Sequence, residues 1–114
     1  MQASPSTLLL RYIAYRYTII HMTILSFKCS DTQALHLRRR VARFVNIESV
    51  ARRKLAPLDA AANLDFLRVP PGNRLEALKG NRAGQHSIRI NDQWRVCFLW
   101  TAKGPRDVEI VDYH

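Results

Sequence analysis

Asp112, Tyr113 and His114 close the sequence as three consecutive side chains that can each hold or pass a proton. They follow the alternating apolar run "VEIV" (residues 108–111), so either a strand delivers them as a set or the end is a solvated tail with His114 frayed. Upstream, Glu76 adds another carboxylate, and Lys79, Arg82 and Arg95 add cations. Such a set meets the demands of RNA cleavage without a metal. A base removes the proton of the ribose 2′-OH, cations stabilise the charge that builds on the phosphorane, and an acid protonates the departing 5′ oxygen. Histidine titrates near working pH, which suits His114 to the acid role. Glu76, Asp112 and Tyr113 are further proton-transfer candidates, and Lys79 and Arg95 the candidate charge stabilisers. An aromatic ring beside a cation can also stack an unpaired base.

Each of these residues has a plainer use. Arg95 could be a cross-strand partner of Glu109, Glu76 an exposed strand acid, Lys79 a solvated turn lysine, and Tyr113 a strand-end packing residue. Other chemistries find less support. There is no Gly-rich phosphate loop, serine elbow or zinc signature. His21, His36 and His86 have no Cys or carboxylate at metal-ligand spacing, so they read as surface or structural residues, and no metal or cofactor is expected. Two cysteines, Cys29 and Cys97, are too few for a disulfide framework and read as reduced thiols of a cytoplasmic protein.

The charge balance points to a polyanionic partner. Eighteen Lys and Arg against nine Asp and Glu give a net charge of +9. Between Arg38 and Lys54 the cations Arg38, Arg39, Arg40, Arg43, Arg52, Arg53 and Lys54 face a single acid, Glu48. This stretch reads either as a solvated face or as a surface that meets something negative.

A length of 114 residues bounds the chain to one domain with a modest core. Residues 1–21 read as an N-terminal extension to a domain spanning 22–114, with Met22 the expected start. Arg11 and Arg16 interrupt the extension, so it falls short of the roughly 18–20 apolar residues of a membrane span. It also lacks the layout of a signal peptide. An amphipathic membrane-surface segment is the alternative for it.

Within the domain, "TILSF" (residues 23–27) predicts a first strand. Ser30 or Asp31 can cap a helix in which Leu37, Val41, Phe44 and Val45 share one apolar face. A second helical pattern starts near Asn46 or Ile47 and runs through Val50, Ala51, Leu55, Leu58 and Ala62, with Pro57 expected to kink or split it. "VPPGN" (residues 69–73) forces a loop. Strands are then expected at "RLEAL" (74–78), at "HSIRI" (86–90) with Ile88 and Ile90 inward, at "WRVCFLW" (94–100) and at the C-terminal run. Trp94, Val96, Phe98 and Trp100 should face the helices, and Arg95, Cys97 and Leu99 the opposite side. Hairpin-length connections imply antiparallel pairing. The expected fold is α+β, with two helices on one face of a twisted sheet and an open face carrying Lys79, Arg82, Arg95 and the terminal triplet.

The stretches "RFVNIESVARRKLAPLDAA" (43–61), "LRVPPGNRLEALKGNRAGQHSIRINDQWRVCF" (67–98) and "VEIVDYH" (108–114) resemble the HigB-type toxins of the RelE/ParE superfamily, the plasmid-maintenance killer proteins. The resemblance runs from about Met22 to His114. It implies a RelE-like fold, with two N-terminal helices packed on a small twisted antiparallel sheet. It implies the toxin of a type II toxin–antitoxin system, an endoribonuclease that enters the A site of the 30S subunit and cuts mRNA there without a metal. It implies neutralisation by a HigA-type helix-turn-helix antitoxin, with operator DNA bound only through the toxin–antitoxin pair. Lys79, Arg95, Asp112, Tyr113 and His114 match the family's functional positions. The basic residues Arg38, Arg39, Arg40, Arg43, Arg52, Arg53, Lys54 and Arg82 then become the expected contacts to RNA and ribosome.

Two features depart from the pattern. Glu76 stands where a well-studied branch carries a histidine, and a carboxyl with an ordinary pKa of about 4.3 is a weak base unless burial raises it. Asp112 is the alternative base. The "HLRRR" run and Pro57 also differ, which bears on antitoxin contacts and helix stability. Two other functions stay in play: a ParE-like toxin that inhibits DNA gyrase by binding alone, and a weakly active relative serving mainly as an antitoxin-bound co-repressor.

Overall fold

A computed structural model of the chain describes residues 24–113. The N-terminal extension, the expected start at Met22, His21, the first residue of the expected first strand, and His114 lie outside the described residues.

Helix α1 spans Ser30–His36, seven residues. It ends at a tight left-handed turn: the Arg38 N–H donates to the Leu35 carbonyl and the Arg39 N–H to the Ala34 carbonyl, with Arg38 at φ 66°. The longer first helix expected from Leu37, Val41, Phe44 and Val45 is therefore corrected. Leu37 and Val45 are 54% and 49% exposed. Val41 and Phe44 do reach the core, Val41 from extended backbone and Phe44 from a 3-10 turn, Ala42–Phe44. A continued helix would stack Arg39 and Arg40 over Arg43 at i+4 and i+3, like charges that oppose one another. The turn instead carries Arg43 to Asp31, where its Nε donates at 2.8 Å.

Helix α2 spans Glu48–Ala60 and continues through Pro57, which does not split it. Proline in a helix interior costs about 3 kcal/mol through its missing N–H and its ring. Leu55 and Leu58, on either side of it, are completely buried, and each full burial contributes about 1.5–3 kcal/mol. The core contacts thus offset the break, and only one turn follows it.

The sheet has four antiparallel strands in sequential order: β1 (Glu76–Ala77), β2 (His86–Arg89), β3 (Trp94–Thr101) and β4 (Gly104–Asp112). Among the described residues "TILSF" does not form the expected strand. Only Phe27 makes a bridge, parallel to Val108. The Val108 N–H donates to the Ser26 carbonyl and the Lys28 N–H to the Val108 carbonyl. A bulge in β4 explains the short contact. Cys97 pairs with Glu109, but Leu99 pairs with Arg106, so Asp107 and Val108 together oppose Phe98. Asp107 takes φ 52° there, and its N–H donates to Ser26 Oγ at 2.9 Å. The expected "RLEAL" strand shrinks to Glu76 and Ala77, paired with Ser87 and His86.

One core joins helices and sheet. Leu35, Phe44, Leu55 and Leu58 meet Ile88, Val96, Phe98, Val108 and Ile110. Trp94 and Trp100 pack at its margin, and the Phe44 and Trp94 rings meet edge-to-face at 5.6 Å. Thr32 is the buried polar link between layers, its hydroxyl accepting the Ile110 N–H at 3.0 Å. No helix among the described residues is long and apolar enough to cross a membrane.

Candidate functional site

The segment from Leu78 to Gln85 folds across the sheet face that points away from the core. Gly80 at φ 65° and Gly84 at φ 91° allow the double reversal, and the Leu78 N–H donates to the Gln85 carbonyl to close it. Arg82 is thereby carried over the sheet, where its Nη1 donates to Gln85 Oε1 at 3.1 Å and to Glu109 Oε1 at 3.3 Å. The face expected to be open is consequently narrower than the strand pattern implied.

Arg95 projects onto the same face. Its Nε donates to Ser87 Oγ at 2.6 Å and its Nη2 to the Arg74 carbonyl at 2.7 Å. Glu76 Oε1 lies 3.6 Å from Arg95 Nε. Arg95 thus pairs with Glu76 across two strands, and Glu109, its expected partner, pairs with Arg82. Strand register accounts for the exchange, since Glu109 stands opposite Cys97 and Arg95 opposite Val111. Cys97 is 1% exposed and sits near both ion pairs. Burial pushes its thiol up, with Glu109 and Glu76 adding to the shift and Arg82 and Arg95 opposing it. It remains a neutral packing residue.

Beside these pairs lies a shallow groove of about 460 Å³, lined by Lys79, Asn81, Arg82, Val111, Asp112 and Tyr113. Gln93 anchors the chain end against it. Its carbonyl accepts the Tyr113 N–H at 2.6 Å and its side-chain nitrogen donates to Asp112 Oδ2 at 3.0 Å. The preceding turn is set by Asn91, whose Oδ1 accepts the N–H groups of Gln93 and Trp94. Tyr113 is 37% exposed.

The structure therefore gathers Lys79, Asp112 and Tyr113 in one groove and joins Arg82 to them. Glu76 and Arg95 form a pair on the same face that does not line the groove. Sequence reasoning missed Ser87, Gln85 and Gln93, which hold the cations and the chain end.

The helix-side cations divide into two groups. Arg43 bonds Asp31 and Cys29 and lies 4.3 Å from the Phe44 ring centroid. Arg52 pairs with Glu48 at 2.9 Å, and Arg40 reaches the same carboxylate at 3.8 Å. Lys54 donates to Asn73 Oδ1 at 2.6 Å, and the buried Asn73 donates in turn to the Leu67 and Val69 carbonyls. Burial pushes the Lys54 ammonium down, and Arg53 and Arg89 add to the shift. Lys54 is thus an anchor between α2 and the loop before β1. Arg38, Arg39 and Arg53 make no side-chain bond with any described residue.

The family described as RelE-like toxin of type II toxin–antitoxin system HigB matches residues 36–114. Toxin HigB-1 of Vibrio cholerae serotype O1 is 53% identical over 55 residues, which is 48% of this chain and 58% of that protein. An uncharacterized protein of Haemophilus influenzae is 40% identical over 55 residues, 48% of this chain and 54% of that protein. The chain spans a little over half the length of these curated relatives. The family match covers most of the chain, from the end of α1 through the whole sheet, and on that ground the chain belongs to the HigB family of RelE-like toxins of type II toxin–antitoxin systems.

Proposed function

We propose that this chain is the toxin of a type II pair and acts as a ribosome-dependent mRNA endonuclease, held inactive by a HigA-type helix-turn-helix antitoxin. The observation that carries the reading is the groove where Lys79, Arg82, Asp112 and Tyr113 meet, with Glu76 and Arg95 alongside. Two cations, a carboxylate and a phenol line one groove, the combination of charge and proton-transfer groups that phosphodiester cleavage requires.

In this reading Lys79 and Arg82 stabilise the phosphorane oxygens. The exposed face of Tyr113 stacks a base of the mRNA. Asp112, which lines the groove, is the assigned base for the 2′-OH, and Glu76, beside Arg95, is the alternative. Arg95 adds positive charge from beside the groove and holds the β1 edge in place through Ser87 and Arg74. His114, next along the chain, is the assigned acid for the 5′ oxygen. Operator DNA is met through the antitoxin complex, and the setting is the cytoplasm, where translating ribosomes are.

The test is induction in a bacterium that lacks the antitoxin, comparing wild type with His114→Ala and mapping mRNA 5′ ends. New ends within translated codons, reduced about 10²–10⁴-fold in the variant, are expected for a general acid. A reduction below about threefold sinks the acid role. Growth arrest with intact mRNA in both strains would replace the nuclease by a gyrase-type binding toxin.

A further inference from the structure

We infer that Ser87 is a positioning residue for the proposed cleavage: its buried hydroxyl fixes the Arg95 guanidinium so that one nitrogen, Nη1, is left for the phosphate. The inference deepens the nuclease reading and rests on it, since there Arg95 supplies charge beside the groove.

Strand register sets the contact. Ser87 on β2 stands opposite Cys97, and Arg95 lies two residues before Cys97 on β3. Diagonal neighbours of this kind share a face and are within reach of a long side chain. Directly opposite Arg95 stands Arg89, a like charge that disfavours the direct pair. The two side chains part: Arg89 bonds Asp92 in the turn, and Arg95 bonds Ser87. Ser87 is 0% exposed, and its Oγ accepts the Arg95 Nε–H at 2.6 Å. A buried hydroxyl needs a polar partner, and the guanidinium supplies it.

A guanidinium has N–H donors on all three nitrogens, in a fixed planar fork. In Arg95 one edge of the fork is committed. Nε donates to Ser87 Oγ, and Nη2 donates to the Arg74 carbonyl at 2.7 Å and to the Ser87 carbonyl at 3.4 Å. Arg74 presents its carbonyl from left-handed backbone, φ 45°, at the end of the 3-10 turn Pro71–Asn73. Nη1 makes no bond with any described residue. Glu76 Oε1, 3.6 Å from Nε, attracts the group but is too distant for the hydrogen bond, which goes to Ser87. The hydrogen-bond acceptors are therefore all neutral. They fix the plane of the guanidinium without cancelling its charge, whereas Arg82 is held by the Glu109 carboxylate at 3.3 Å. A fork anchored along one edge, with the remaining nitrogen unbonded, suits an anion whose charge grows in the transition state.

The test is single-turnover cleavage of mRNA on programmed 70S ribosomes at varied ribosome concentration, with thermal unfolding alongside. Ser87→Ala should lower the saturated rate about 10- to 100-fold, as misplacement of a reacting group does, with the half-saturating concentration within about twofold. Ser87→Cys fills nearly the same space with a weak acceptor and should behave alike, which keeps the test decisive if the alanine variant unfolds. Ser87→Thr retains the hydroxyl on a strand and should recover the rate to within about threefold of wild type. In an Arg95→Lys background, Ser87→Ala should cost less than about twofold more, because the guanidinium fork is gone. An unchanged rate for Ser87→Ala, or losses of equal size in both backgrounds, would overturn the positioning role and leave the nuclease reading intact. Absence of cleavage by the wild type would overturn the nuclease reading, and the role of Ser87 with it.

Discussion

The two basic surfaces use arginine in opposite ways. On the sheet side, Arg82 and Arg95 are held by Glu109, Gln85, Ser87 and Glu76, and their side chains are 26% and 11% exposed. On the helix side, Arg38 and Arg53 are exposed and make no side-chain bond with any described residue, while Arg43 and Arg52 are held by Asp31 and Glu48. The proposed reaction needs charge at one place, and the held cations of the sheet side would supply it. Attraction of the proposed polyanionic partner needs charge that is free to follow it, and the unbonded arginines of the helix side would supply that.

Substitutions on the sheet side should therefore break the reaction, and substitutions on the helix side should shift affinity. Lys79→Ala is expected to reduce single-turnover cleavage of mRNA on saturating ribosomes about 10²–10³-fold, as loss of an electrostatic stabiliser does. Arg39→Ala under the same conditions should leave the rate within about twofold. A large effect of Arg39 on the saturated rate would erase the distinction.

The two thiols sharpen the same contrast. Burial alone would raise the Cys29 thiol, but hydrogen bonds from the backbone and hydroxyl of Thr32, the Asp31 backbone and the Arg43 guanidinium outweigh it and hold the thiol below its usual range. Cys97 is buried and pushed up. Alkylation by iodoacetamide at neutral pH, followed by mass spectrometry, should modify Cys29 first. Cys97 should lag more than about 100-fold, because its labelling needs opening of the sheet face. Comparable rates would show that the loop over β3 does not close that face.

Asn73 tests whether the helix side also supports the sheet side. Its amide joins Lys54 on α2 to the Leu67 and Val69 carbonyls just before β1. Asn73→Ala should destabilise by about 1–3 kcal/mol in urea unfolding, since buried donors and acceptors lose their partners. A change below about 0.5 kcal/mol would mean the loop is held by other contacts. The smallest effect is expected from pairs. A double-mutant cycle on Arg82 and Glu109 should give about 0.5–1 kcal/mol of coupling, whereas Arg40 and Glu48, at 3.8 Å with Arg40 77% exposed, should give about zero. Equal couplings would show that position on the sheet adds nothing.

Much of the sheet was legible because alternation leaves a strong signal. Val96, Phe98, Val108 and Ile110 are all buried as the pattern of two predicts, and the Asn91 turn follows from its residue types. The first helix was not legible, because Leu37, Val41, Phe44 and Val45 keep helical spacing even though the chain turns at Arg38. Periodicity records which residues are apolar, and a turn followed by a 3-10 segment can satisfy part of the same list. Pro57 misled in the other direction, since its local cost is visible in the sequence and the compensating burial of Leu55 and Leu58 is not. In the site, Lys79, Asp112 and Tyr113 were legible as residue types, whereas the exchange of partners between Arg95 and Arg82 depended on register.

By itself the sequence determined the family, the α+β class, the basic balance and the side chains available for proton transfer. These are properties of composition, order and short-range pattern, which no folding is needed to express. Only the tertiary structure decided which cations are held and which are free, that Lys54 is an anchor, that the Leu78–Gln85 segment covers Cys97, and that Arg38 stands in a left-handed turn over α2. Those outcomes depend on contacts between residues far apart in the chain, set by the β4 bulge, the strand register and the turn after α1, and nothing in the local sequence encodes who the partner will be.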